Sequence, residues 1–568
     1  MKLNKFIKKI YGSEFSLHVI AMFLMVFIGA SAQFIMTYYL GLIIDAVQMG
    51  LEETINNFII IIFAITIFIV CSAIINYVSG KMGIRLSYLL RFKIAEKMCS
   101  AKYEEIEKIS EGELLSIATK DIEGINNWLI TLLKLGNLPA QLGLVLIFAF
   151  RLNWKFSLCT LCLIPLAAIP EILISRNLGS YFAKEKEAHS EGLAFFTNTI
   201  ELLIVIKSFQ LEGLFQKKNA GKTKKYKENR LKSHLHERMT DIYSRCFGHI
   251  TNPLLLLLGA IFIINGELSL GKLTSVIFLA SFVGEGLKTL NEVPARLQEG
   301  RASANRIEKL LNMQTEPSQD YVRKIPQEDI IYEVKDLSFR YREVDVLKNI
   351  KFRIKRGEKI AVIGPSGAGK TTLFKLLSGL YLPCQGCVCF QGEDITKIPL
   401  EYLRKSISVV TQESFIFNAT FKDNIKLADL NGSDERLILA AKHAQIDSFI
   451  KTFEHGYDTV VNTTVRSMSN GQMQRINLAR AFFKNTDVFL FDEPTSALDT
   501  DLTTSIFELL FSEYKDKTVL MILHNMQELY RFDKILLLNN GEVEAFGSHK
   551  ELLNDCDLYE KLYRQEVN

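Results

Sequence analysis

Two stretches of this chain, residues 15–44 and 54–80, contain no Asp, Glu, Lys or Arg. Each exceeds the roughly 20 apolar residues that a helix needs to cross a bilayer. Helices of a large soluble core are shorter and less uniformly apolar, so a membrane-spanning part is expected. Weaker apolar runs at 130–150, 156–176, 246–266 and 271–292 bring the expected spans to six. Hydrophobic residues make up 48% of the 568, and nearly all the long apolar runs lie before residue 300. A chain of this length exceeds one core, so a soluble second half is expected. The net charge of +4 singles out no class of partner.

Basic residues orient the spans. Lys2, Lys5, Lys8 and Lys9 precede the first, which places the N-terminus in the cytoplasm. The loop after it carries Asp45, Glu52 and Glu53 without Lys or Arg, as an outer loop should. Residues 81–125 and 177–240 are long, polar and basic, and read as cytoplasmic extensions of the spans. Arg151 and Lys155, at the outer turn between spans 3 and 4, run against the rule. No signal-peptide cleavage pattern is present, and span 1 reads as retained. Four ionisable residues sit where lipid makes them costly: His249 in span 5, Glu285 and Lys288 in span 6, and Glu171 after Pro170 in span 4, a helix that Pro165 should kink. They read either as the lining of a substrate cavity that prefers cations, or as a structural set such as a Glu285–Lys288 pair three residues apart on one face.

Nine cysteines are scattered and suggest no disulfide framework. Cys384, Cys387 and Cys389 form C-x-x-C-x-C. A metal site of the usual kind needs about four ligands, and no second pair with suitable spacing follows. The alternation in this run fits a strand.

The soluble half opens after a polar stretch with Pro317 and Pro326. Its strongest feature is Gly364-Pro365-Ser366-Gly367-Ala368-Gly369-Lys370-Thr371-Thr372, which fits G-x-x-x-x-G-K-[ST]. A strand-like run at 359–363 precedes it and a helix-like run from Thr372 follows, the context that turns the pattern into a phosphate loop. Glycines let backbone N–H groups wrap an anion, and the helix N-terminus favours negative charge. Lys370 is expected on the β- and γ-phosphates of ATP, and Thr371 on Mg²⁺. Three more apolar strands end in residues suited to phosphate chemistry: 407–411 at Gln412, 487–491 at Asp492-Glu493, and 517–523 at His524. In a parallel α/β sheet ligands bind beyond the strands' carboxyl ends, so the four endings can converge. Asp492 is placed to hold Mg²⁺ and Glu493 to act as general base on water. His524 is placed to contact the γ-phosphate or position that water, and Gln412 to donate to the water or ligate Mg²⁺.

With these residues in order, the chain resembles the ATP-binding cassette transporters over nearly its whole length. Met468-Ser469-Asn470-Gly471-Gln472 resembles the family's signature motif. Asp492-Glu493-Pro494-Thr495-Ser496-Ala497-Leu498-Asp499 resembles its Walker B and D-loop, and Val410-Thr411-Gln412-Glu413 its Q-loop. Tyr341 falls where the family stacks an aromatic on adenine. Membrane-first order resembles the exporter half-transporters. The resemblance implies a multidomain chain: an all-α six-helix transmembrane domain (1–313), a linker (314–328) and a P-loop α/β nucleotide-binding domain (329–568). It implies coupling segments near Gly112–Leu115, with Asp121 further on, and near Gln210–Lys217, the second reaching the partner's cassette. It also implies a second half-transporter chain, because Ser469, Asn470, Gly471 and Gln472 of one chain face the ATP held by the other. ATP and Mg²⁺ are the expected cofactors. Membrane lipid and a transported substrate are the other expected partners; nucleic acid is not, because the spans exclude a soluble nucleic-acid ATPase. The expected setting is a bacterial cytoplasmic membrane, with the cassette on the inside.

The expected function is ATP-driven export of an amphipathic small molecule, peptide or lipid by alternating access. Departures from the family pattern are Met468 and Asn470, where the signature usually reads L-S-G-G-Q, Thr463, where an acidic residue is usual, and Leu523 and Asn525 beside His524. They keep open a heterodimer of one competent and one degenerate site beside the favoured homodimer. A lipid flippase and an ATP-gated channel on the same scaffold are rival readings.

Overall fold

The computed structural model describes residues 2–46, 51–160, 162, 178–316, 329–461 and 468–567. They fall into two compact units, Met1–Cys99 with Ile109–Met313, and Ser100–Lys108 with Gln314–Asn568.

The first unit is helical. Its long helices are Glu14–Ala46, Leu51–Ser100, Ile122–Leu152, Leu178–Glu201, Glu212–Ile264 and Leu270–Leu311. The first two are long and apolar enough to cross a membrane. Phe58, Ile59, Ile62, Phe63 and Ile69 on the second are exposed, which lipid tolerates because its tails are as apolar as the side chains. Residue 161, Pro165, Pro170 and Glu171 of the fourth expected span lie outside the described residues, as do the side chains of His249, Glu285 and Lys288.

Beyond the apolar runs the helices continue unbroken and build a core of their own. Met82, Leu86, Leu90 and Ile94, spaced four apart, meet Ile122, Ile125, Leu129, Ile307 and Leu310. That spacing keeps one face of a helix turned to its neighbours. The short amphipathic helix Lys2–Tyr11 lays Leu3, Ile7, Ile10 and Tyr11 on this cluster and leaves Lys5, Lys8 and Lys9 exposed. Asp121 closes a π turn (Ile117–Asp121) and is 1% exposed. Its carboxylate accepts from Arg306 Nε at 2.7 Å and Ser303 Oγ at 3.1 Å, which is how a buried charge is kept tolerable.

The second unit is α/β. Strand β1 (Ile330–Tyr341) pairs antiparallel with β2 (Val344–Lys355) on one side and β4 (Gln385–Phe390) on the other, and β4 with β5 (Glu393–Asp394). The main sheet runs β12-β11-β3-β10-β9-β6, where β3 is Lys359–Ile363, β6 Ile407–Val410, β9 Val488–Asp492, β10 Thr518–Ile522, β11 Lys534–Asn539 and β12 Glu542–Gly547. Neighbours from β11 to β6 are parallel, and β12 is antiparallel. Strands β3, β9 and β10 are buried at every position, as a parallel sheet covered on both faces requires. A small pair, β7 (Ala419–Thr420) with β8 (Val460–Val461), stands apart.

The segment Ser100–Lys108 belongs to this unit. Ala101 bridges to Thr315, and the short helix Tyr103–Glu107 sets the Tyr103 ring 5.7 Å from that of Tyr381. Lys375 lies over both rings and pairs with Glu107 at 3.0 Å. Gly112–Leu115, where the first coupling segment is expected, belongs to the first unit. Gln210 is a turn residue with φ 54°, and the short exposed helix beside it is Leu203–Ser208.

Candidate active site

Strands β3 and β9 are neighbours of β10, so their carboxyl ends, which carry the phosphate loop and Asp492-Glu493, open on one side of the sheet. The loop needs its glycines: φ is +146° at Gly364, +82° at Gly367 and +96° at Gly369, values that a side chain resists. A Cβ on Gly364 would also strike the carbonyl oxygen of Leu538. Gly369 caps the helix Lys370–Leu377, so the loop delivers its backbone donors to a helix N-terminus. Lys370 Nζ donates to the carbonyls of Gly364 at 2.7 Å and Pro365 at 3.0 Å. Burial lowers the pKa of Lys370, and the charges of Glu493 and Asp492 oppose that shift.

Asp492 ends β9 and is 4% exposed. Burial raises its pKa, against a hydrogen bond from Thr371 and the charge of Lys370. Its Oδ1 is buried without a hydrogen-bond partner. An orphaned carboxylate oxygen beside a threonine hydroxyl is a donor set that suits a hard divalent cation, so these residues fit Mg²⁺.

The next residue, Glu493, has left-handed backbone, φ +50°. That turn aims its side chain away from the strand. His524 Nε2 lies 2.6 Å from Oε1, and Gln412 Nε2 donates to Oε2 at 3.1 Å. Two residues named from strand ends in the sequence thus converge on the carboxylate of a third. Gln474 went unnamed there. It is 3% exposed, donates to the Glu493 carbonyl at 2.6 Å and to Ser496 Oγ at 3.3 Å, and accepts from Ala497 N at 3.1 Å. One signal in the sequence could have found it: Gln474, Asn477, Leu478 and Ala481 recur at helical spacing, and all four are buried.

At the signature, Ser469 caps the helix Asn470–Lys484 with a reciprocal box. Ser469 Oγ accepts from Gln472 N at 3.2 Å, and Gln472 Oε1 from Ser469 N at 2.9 Å. Asn470 is the first residue of this helix and is absent from the positive-φ positions. Gly471 packs closely: a Cβ there would lie 2.5 Å from the carbonyl of Ala497. Thr463 lies outside the described residues. Tyr341, half-buried at the end of β1, stands edge-on to Phe339 and Tyr381 at 5.0 and 5.4 Å.

Comparison with known proteins bears on this arrangement. The sequence pattern described as the ABC transporter transmembrane region matches residues 19–285, and that described as ABC transporter matches residues 347–496. An ATP-dependent lipid A-core flippase of Syntrophus aciditrophicus is 28% identical over 498 residues, covering 87% of this chain and 82% of the flippase. An uncharacterised ABC transporter ATP-binding protein of Bacillus subtilis is 28% identical over 565 residues, covering 96% and 92%. The solved structure of a bacterial Atm1-family ABC exporter with ATP bound superposes with a TM-score of 0.81 at 22% identity, over 97% of this chain and 98% of that one.

Proposed function

The chain belongs to the ABC transporter family, a membrane domain fused to one cassette that couples ATP hydrolysis to export, and from that premise we propose that it works as a homodimer with two shared ATP sites. The observation that carries the proposal is the intact capping box at Ser469–Gln472. Met468 and Asn470 depart from the usual signature, yet the helix end that would face a partner's ATP is built and capped. With Lys370, Asp492 and Glu493 in the same chain, two copies supply every part of two competent sites. A degenerate partner is not required.

In this reading the phosphate loop and Lys370 hold the β- and γ-phosphates, and Tyr341 stacks on adenine. Thr371 and Asp492 would hold Mg²⁺, with Gln412 as a further candidate ligand; Mg²⁺ supplies charge neutralisation at the phosphates. His524 and Gln412 fix the two oxygens of Glu493, so its carboxylate takes the proton of the attacking water in one orientation. ATP joins the cassettes, hydrolysis releases them, and the membrane halves alternate access. The segment near Gln210–Lys217 serves as the second coupling segment, reaching the partner's cassette. The N-terminus and cassette face the cytoplasm of a bacterial cell in this reading. The cargo is amphipathic, and the lipid flippase among the relatives supports a lipid as one form of it.

The test uses the purified chain alone. A dimer that hydrolyses ATP is expected, with Glu493→Gln retaining ATP while turnover falls about 10²–10⁴-fold. A monomer without ATPase activity would favour a heterodimer instead. Rapid steady-state hydrolysis by Glu493→Gln would remove the assigned base.

A further inference from the structure

Strand β4 carries Cys387 and Cys389 two residues apart, so both side chains leave the same face of the sheet. Val388 and Phe390 take the opposite face and are 0% exposed. The two Sγ atoms stand 3.9 Å apart. Across the ladder, Lys335 and Glu333 of β1 pair with Cys387 and Cys389, and Asp394 of β5 pairs with Cys389 from the other side. Cys387 is half-buried, Cys389 is 9% exposed, and Cys384, ahead of the strand, is exposed.

A pyramidal trivalent centre with bonds of about 2.3 Å draws its two sulfurs closer than the 3.9 Å between the free thiols, a closure that rotation about the two Cα–Cβ bonds supplies. A linear two-coordinate ion would need the sulfurs further apart. Among the described residues no group of three or more His, Cys, Asp or Glu converges on a metal position. The pair can therefore supply two ligands of a bent centre whose third ligand comes from outside the protein. We propose that Cys387 and Cys389 form a bidentate dithiol site for one soft, three-coordinate centre of the trivalent organoarsenical class. The site lies on the outer face of the antiparallel sheet and shares no residue with the ATP site.

The chemistry balances without an oxidant. An arsenic(III) oxide R–As=O and two thiols give R–As(S)(S) and water: two S–H bonds break, two As–S bonds form, and the oxygen leaves with both protons. Arsenic remains trivalent. Cys387 is the more accessible thiol and bonds first, and closure of the ring draws in Cys389.

The test uses reduced full-length protein in detergent and phenylarsine oxide as the probe. Intact-protein mass should show an adduct that survives a monothiol wash and leaves with a dithiol. Linked thiols gain ~10²–10⁴ in avidity over one, so Cys387→Ser and Cys389→Ser should each weaken retention by at least about a hundred-fold. Cys384→Ser should retain the adduct. Undiminished ATP binding shows that each variant is folded; if Cys389→Ser fails that check, Cys389→Ala takes its place. An adduct kept by either single variant, or one that wild type yields to a monothiol, overturns the proposal.

Discussion

Gln474 is the most informative residue to change, because it touches Glu493 only through the backbone. Gln474→Ala removes three hydrogen bonds, to the Glu493 carbonyl, Ser496 Oγ and Ala497 N. At about 0.5–1.5 kcal/mol net for each, and with the 3.3 Å bond to Ser496 the weakest, the loss of local stability is about 2–3 kcal/mol. The kinetic effect is smaller and has a different origin. Left-handed backbone costs a residue with a side chain roughly 1–2 kcal/mol, and the bond to its carbonyl holds Glu493 there at φ +50°. Freed of that bond, Glu493 relaxes toward ordinary backbone and its carboxylate leaves His524 and Gln412. A population shift of this size lowers kcat about ten-fold. Because Gln474 touches none of the phosphate loop, ATP affinity should hold. Gln474→Glu sharpens the test: it keeps the acceptor for Ala497 N but sets a carboxylate oxygen against the Glu493 carbonyl. It should therefore turn over more slowly than Gln474→Ala. Phosphate release at saturating ATP, beside ATP binding by fluorescence, reads both. A folded Gln474→Ala with wild-type kcat, or a Gln474→Glu faster than Gln474→Ala, refutes the reasoning.

Other expectations follow from the same geometry. Gly471→Ala forces a methyl onto the Ala497 carbonyl; overpacking of about 1–3 kcal/mol should displace residues 496–499 and lower turnover while ATP binding persists. Lys359, 4% exposed, sets its ammonium among the carbonyls of Gly357, Tyr514, Lys515 and Lys517, more acceptors than its three N–H donors need. Lys359→Met should cost the cassette about 2–3 kcal/mol, measured by denaturant unfolding of the full chain. Asp121→Ala leaves the buried Ser303 hydroxyl without this acceptor while the half-exposed Arg306 turns to solvent, and should cost about 1–3 kcal/mol, seen as a lower Tm.

The first two apolar helices and the strand–loop–helix around residues 364–372 were legible for local reasons. Uninterrupted apolarity marks a span whatever packs beside it, and residues 364–372 carry their strand and helix with them. Asp492, Glu493, Gln412 and His524 were legible because strand ends in a parallel sheet share one edge. Gln474 was legible only as a buried helical position, because its partners Glu493, Ser496 and Ala497 lie beyond the end of β9. Tyr103 and Glu107 were illegible for a stronger reason: their partners Tyr381 and Lys375 lie far along the chain, and no local pattern encodes that pairing.

The two sides of the proposed shared site read phosphate by different physics. The loop side carries a full charge on Lys370, whose long-range attraction added salt would screen. Residues 468–472 carry no charge at all. Ser469 spends a lone pair inward on Gln472 N, which leaves its hydroxyl hydrogen to point outward beside the backbone donors of the helix end. Capture of ATP by one cassette should therefore weaken with ionic strength, while closure of the second cassette over the bound nucleotide, made through dipoles at contact range, should scarcely respond to it.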